Sequence, residues 1–136
     1  ATELGVRRVV PVLTERVNHA RLKPERLRAH MVEAAEQCGR TALPELAEAV
    51  KLGALLAEWP AGRLLLFADE AGGADMAALK PACPAAILVG PEGGFSDAER
   101  AAVRAVPEAR ALGLGPRILR ADTAVVAAIA QFQLFG

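Results

Sequence analysis

Two stretches of this chain carry residues able to do chemistry. Val89–Phe95 holds the pentapeptide Gly90-Pro91-Glu92-Gly93-Gly94, and Leu112–Ala124 holds a second glycine-rich turn followed by Arg117 and Arg120. Glycine has no Cβ, so such loops let backbone amides and carbonyls come close to a ligand. Glycines ahead of a helix N-terminus also favour anions. Yet the sequence has neither a Walker Lys-Ser/Thr nor a Gly-x-Gly-x-x-Gly, and Glu92 would repel a phosphate. A carboxylate there suits a cationic or hydroxyl-bearing ligand better. A plain tight turn from strand to helix would use the same residues, and spacing does not separate the two readings. In the second stretch, Arg117 and Arg120 flank the apolar Ile118 and Leu119 after Gly115-Pro116. Arg120 stands where it can orient a phosphate, a ribose or a base carbonyl. A surface ion pair with Asp122 or Glu92 is the alternative.

The elements around these loops follow from hydrophobic pattern. Val6–Leu13 is β-branched and reads as a buried strand. Pro24 opens a helix that Gly39 stops. Leu43–Val50 is expected to hold a short strand after Pro44, and Lys51–Trp59 a helix ended by Pro60. Leu64–Ala68 and Ala85–Val89 are continuous apolar strands. Ser96 and Glu99 form a capping box for a helix to Val106. Ala109–Leu114 reads as a third, short strand with Gly113 and Gly115 at its end, and Asp122 or Thr123 as the cap of a last helix running to Phe135. Strands alternate with helices and are apolar on both faces. The fold class is therefore α/β, one domain over residues 1–136, with a mainly parallel sheet flanked by helices. In such sheets ligands bind beyond the carboxyl ends of the strands, which brings Phe67–Gly73, Gly90–Gly94 and Gly113–Pro116 together.

Composition narrows the function classes. Apolar residues are 53% of the chain, which argues against disorder. Aromatic residues are 4%, with no Tyr, too few for a broad base-stacking platform. Formal net charge is zero, so no global electrostatic grip on nucleic acid is encoded. The basic residues do cluster between Arg7 and His30, as a solvated face or a polyanion-facing edge. Cys38 and Cys83 lack the spacing of a zinc site or a disulfide framework; reduced thiols in a cytoplasmic protein are expected. His19 and His30 are expected on the surface, and Trp59 as a packing anchor. The sequence has no apolar run near 20 residues and no secretory signal.

The segment Leu88-Val89-Gly90-Pro91-Glu92-Gly93-Gly94-Phe95-Ser96, then Leu112-Gly113-Leu114-Gly115-Pro116-Arg117-Ile118-Leu119-Arg120 and Asp122-Thr123-Ala124, resembles the ribosomal RNA small subunit methyltransferase E family of the SPOUT superfamily. Ala1-Thr2-Glu3-Leu4-Gly5-Val6 and Glu33-Ala34-Ala35-Glu36-Gln37-Cys38-Gly39-Arg40 resemble it too, in the same order along the whole chain. The resemblance implies the catalytic domain of that family, with a C-terminal deep trefoil knot. It implies S-adenosyl-L-methionine as cofactor, a homodimer in which the last helix contributes, no metal and no membrane. The implied reaction is methylation of N3 of a uridine in 16S ribosomal RNA, in ribosome biogenesis. A SPOUT enzyme acting on another RNA such as tRNA, or a non-catalytic adenosine-binding dimerisation module, are the alternatives. Asp122 departs from the family's usual Glu. The family's N-terminal PUA-like RNA-binding barrel is not in this sequence, and the start at Ala1 leads us to expect a fragment that keeps the cofactor pocket and loses much of its hold on RNA.

On that basis Arg120 is the expected catalytic group, orienting the uracil, with Glu92 either a base or an acceptor for loop amides. Cofactor contacts are expected from Leu66, Phe67 and Ala68, from Val89, Gly90, Glu92 and Gly93, and from Leu112, Gly113, Leu114, Ile118 and Leu119. Arg8, Arg16, Gln37, Arg40 and Arg117 are the expected RNA contacts.

Overall fold

A computed structural model describes residues 1–16, 23–82, 84–91 and 93–135. Three parallel strands form its centre: β5 (Leu64–Ala68) lies between β6 (Ala85–Val89) and β7 (Ala109–Leu112). Successive side chains on a strand point to opposite faces. Leu65 and Phe67 therefore enter one core with Leu52, Leu88, Phe95 and Val103, while Leu66 enters another with Met76, Leu112 and Ala128. Helices α2 (Leu52–Ala57) and α4 (Asp97–Arg104) contribute to the first core, and α3 (Met76–Leu79) and α5 (Ala121–Phe135) to the second. Burial on both sides explains why β5 and β6 read as unbroken apolar runs, whereas β7 carries the exposed Arg110.

The N-terminal part holds α1 (Pro24–Cys38) and four strands of two residues each: β1 (Arg8–Val9), β2 (Val12–Leu13), β3 (Glu45–Leu46) and β4 (Val50–Lys51). β1 pairs with β3 and β2 with β4, again in parallel. The expected continuous strand Val6–Leu13 is thus divided. Pro11 has no amide hydrogen to give to a ladder, although its carbonyl accepts from Val50 N at 3.0 Å. Pro24 opens α1, and Gly39 closes it with φ 72°, a left-handed conformation that glycine adopts without strain. Arg40 then donates to the carbonyls of Thr2 and Val6 at 2.9 and 3.2 Å, clamping the N-terminal turn. Gln133 of α5 donates to the carbonyl of Leu4 in the same turn.

Four boundaries differ from expectation, the first being that α4 ends at Arg104 and not at Val106. The helix expected over Lys51–Trp59 is the shorter α2, and Trp59 instead packs on the first core while its indole donates to Arg63 O at 2.8 Å. β7 ends at Leu112, because the next residues turn away to bond the neighbouring loop: Gly113 N donates to Ala74 O at 2.9 Å. The last helix begins at Ala121, with Ala124 N on Arg120 O at 2.8 Å, so Asp122 lies inside its first turn and is not the cap. Helix α3, capped by Asp75 through Ala78 N at 2.7 Å, was not anticipated; four residues are too few to show a helical period. Among the described residues no helix is long and apolar enough to cross a membrane, and no cluster of His, Cys, Asp or Glu is arranged to hold a metal ion.

Candidate functional site

The carboxyl ends of β5, β6 and β7 open onto one cleft of about 360 Å³. Ala68 contributes from β5, Val89 from β6 and Leu112 from β7, with Gly90, Gly113 and Leu114 following directly in the strand-end loops. The following loop closes a side with Arg117, Ile118, Leu119 and Arg120. Eight of the expected cofactor contacts thus share one cleft: Ala68, Val89, Gly90, Leu112, Gly113, Leu114, Ile118 and Leu119. Leu66 and Phe67 do not reach it, since their side chains are buried in the two cores. Gly93 lies outside the lining, its carbonyl taken by Arg16. Glu92 falls outside the described residues, as do His19 and Cys83; His30 is exposed.

The cleft is shaped by close backbone approach. A Cβ on Gly113 would sit 2.6 Å from Gly73 O, and Gly73 leaves no room against the backbone of Ala111 and Leu112. The loop after β5 therefore lies close alongside the end of β7, where Ala74 N to Ala111 O (3.2 Å) and Gly113 N to Ala74 O (2.9 Å) form a parallel bridge between Ala74 and Leu112. Gly90 is needed for a different reason: a Cβ there would meet the Phe95 ring at 2.8 Å. That ring packs edge-on against Phe67, with centroids 5.3 Å apart, and so ties the Gly90–Phe95 loop to the core. Ser96 Oγ accepts from Glu99 N at 3.2 Å and Glu99 Oε1 from Ser96 N at 2.9 Å, the reciprocal cap that the sequence announced.

Sequence reasoning missed the charged wall. Asp69, Glu70 and Arg100 line the cleft beside Phe95. The Asp69 side chain is fully buried. It accepts from Ala71 N at 3.0 Å and from Arg104, and Arg100 Nε lies 3.7 Å away. Burial alone would raise its pKa; the Ala71 amide, Arg104 and Arg100 together outweigh that and hold the carboxyl below its ordinary value. Two signals pointed here: a carboxylate pair directly after an apolar strand, and Arg100 and Arg104 at i, i+4 on one helix face. What could not be read was that the two meet.

Arg120 is open to solvent, with 81% of its side chain exposed, and its pair with Asp122 spans 3.5 Å. Such a pair holds an arginine only weakly. Arg117 is exposed on the same rim, and Gln37 is exposed on α1. Arg8 is exposed and faces Glu45 at 3.7 Å. Arg16 and Arg40 spend their guanidiniums on backbone carbonyls.

Residues 1–133 match the family model described as RNA methyltransferase domain. The chain is similar to ribosomal RNA small subunit methyltransferase E of Rickettsia conorii, at 32% identity over 100% of this chain and 57% of that protein. It is 36% identical to the Synechocystis protein of the same name, over 96% of this chain and 45% of the relative. The chain thus spans about half the length of these curated relatives. Among solved structures, ribosomal RNA small subunit methyltransferase E from Neisseria gonorrhoeae, bound to S-adenosyl methionine, superposes with a TM-score of 0.85 at 30% identity, over 98% of this chain and 56% of that one.

Proposed function

The chain belongs to the RNA methyltransferase domain family, and we propose that its cleft binds S-adenosyl-L-methionine and serves methylation of N3 of a uridine in 16S ribosomal RNA. The observation that carries this reading is the convergence of three strand-end loops on one cleft, with glycines where a Cβ would close it. About 360 Å³ suits a ligand of nucleoside size. Apolar Leu114, Ile118 and Leu119 offer a surface for an adenine face, and backbone groups at the strand ends offer hydrogen bonds to its edge. Glu70 supplies an acceptor for a hydroxyl or a cationic group.

When bound, the sulfonium cofactor supplies an activated methyl group. The chain's own task is to hold the acceptor nitrogen in line and keep water out. Uridine N3 must lose a proton, and Arg120 stands at the rim to stabilise the resulting anion through the neighbouring carbonyls. Glu92 is either the base that takes the proton or an acceptor for loop amides. The base must leave its stack to reach the cleft, because N3 is hidden in a pair. Arg8, Gln37 and Arg117 are exposed and form the RNA-facing surface in this reading.

The same reading includes the deep trefoil knot that the resemblance implies, and a homodimer through α5. Support for the dimer comes from Val126, Leu134 and Phe135, which leave 51%, 78% and 53% of their surface exposed on that helix. Calorimetry with S-adenosylmethionine and S-adenosylhomocysteine tests the cleft; binding of neither would remove the enzymatic reading. Mass spectrometry of ribosomal RNA from a strain lacking the gene tests the substrate. A missing methyl on a small-subunit uridine is expected, and a missing methyl on tRNA would redirect the assignment.

A further inference from the structure

Arg16 was expected to face RNA, but its contacts point elsewhere. Arg16 follows β2, and its Nη1 donates to Gly93 O at 2.9 Å and Phe95 O at 3.4 Å, two carbonyls of the loop that ends β6. Its aliphatic stem lies against Gly93: a Cβ there would come 3.1 Å from Arg16 Cβ and 3.4 Å from Cδ. The preceding residue is hooked to the same place, since Glu15 N donates to Glu99 Oε2 at 3.2 Å. Glu99 is also the residue that closes the capping box through its other oxygen. A two-residue clip from a remote part of the chain therefore grips the loop at its carbonyls and at its junction with α4. Within the loop, Gly94 N donates to Pro91 O at 2.8 Å, and both Pro91 and Phe95 line the cleft.

We propose that Arg16 is a positioning residue that holds Gly93–Phe95 so that Phe95 keeps its place in the cleft lining, an inference that rests on the reading of this cleft as the cofactor site. A guanidinium bridging two carbonyls of one loop fixes their spacing, which the loop's own turn does not do. The arrangement also ties Arg16, one member of the basic cluster between Arg7 and His30, to the wall of the cleft. Arg16 acts through the loop and touches no reacting atom.

The test titrates the chain and its Arg16→Ala and Arg16→Lys variants with S-adenosylhomocysteine in the absence of RNA, and follows amide exchange at Gly94. Arg16→Ala is expected to weaken binding roughly three- to tenfold, the net worth of one or two hydrogen bonds. Exchange at Gly94 should quicken by a similar factor while β5 amides keep their protection. Arg16→Lys retains the stem against Gly93 and one cationic donor, so it should recover part of both. An alanine variant equal to the unsubstituted chain in affinity and in Gly94 exchange overturns the proposal and leaves Arg16 as a contact for RNA. Should Arg16→Ala also loosen β5, Arg16→Gln is measured in its place. If the unsubstituted chain binds no S-adenosylhomocysteine, the cofactor reading fails by itself. Gly94 exchange then decides the role of Arg16: faster exchange upholds it and unchanged exchange refutes it.

Discussion

Replacing Asp69 with Asn removes a charge from the most enclosed carboxylate in the cleft wall while keeping its shape. The amide oxygen can still accept from Ala71 N, so the turn after β5 is retained. What is lost is the charge-assisted bond from Arg104 and the attraction of Arg100 at 3.7 Å. A hydrogen bond to a charged group contributes about 1.5–3 kcal/mol. Arg104 is 54% exposed, so solvent screening roughly halves that figure. Arg100, at 27% exposure, adds a smaller amount, and relief of the burial cost on neutralising Asp69 takes part of it back. The expected loss is about 1 kcal/mol at pH 7. With an unfolding entropy of about 2.1 cal/mol/K per residue over 136 residues, that loss lowers Tm by about 3–4 °C. The pH dependence follows from the direction of the shift. Asp69 is held below its ordinary pKa in the folded chain, so its contribution is complete above the unfolded value of about 3.9 and disappears as pH falls through the folded one. Thermal melts of both proteins at one concentration, from pH 8 down to pH 3, should show a constant gap that closes only below about pH 4. A gap absent at pH 7, or one that persists undiminished into acid, would refute the account of this network.

Three further outcomes are expected. Gly113→Ala places a Cβ 2.6 Å from Gly73 O, and two backbones held by mutual hydrogen bonds cannot yield cheaply; chemical denaturation should show a loss of about 2–3 kcal/mol. Ser96→Ala removes the cap on α4 and should cost about 1 kcal/mol, seen as a shifted urea midpoint with unchanged slope. Arg120→Ala should leave S-adenosylhomocysteine affinity within about twofold and lower methyl transfer by about 10²–10³. Its side chain is exposed at the rim and carries no packing, so an equal loss of binding and turnover would contradict its assigned role.

The parts of this protein that the sequence determined by itself are those written in local periods. Leu64–Ala68 and Ala85–Val89 are strands at the residues expected, because burial on both faces leaves an unbroken apolar run, bounded by Arg63 and Asp69 in the first and by Pro84 and Gly90 in the second. Pro24 and Gly39 bound α1, and Ser96 with Glu99 starts α4, because caps act within four residues. Convergence of the strand-end loops followed from the parallel sheet alone. Tertiary structure decided what lies between distant segments. Pro11 let β1 and β2 choose separate partners. Asp69 meets Arg104 across 35 positions, and Arg16 reaches Gly93 across 77. No period encodes such meetings; they exist only once the two cores have packed and fixed which loop passes over which. The cleft's place was legible from pattern, and its charged wall and the grip on its loop came from packing.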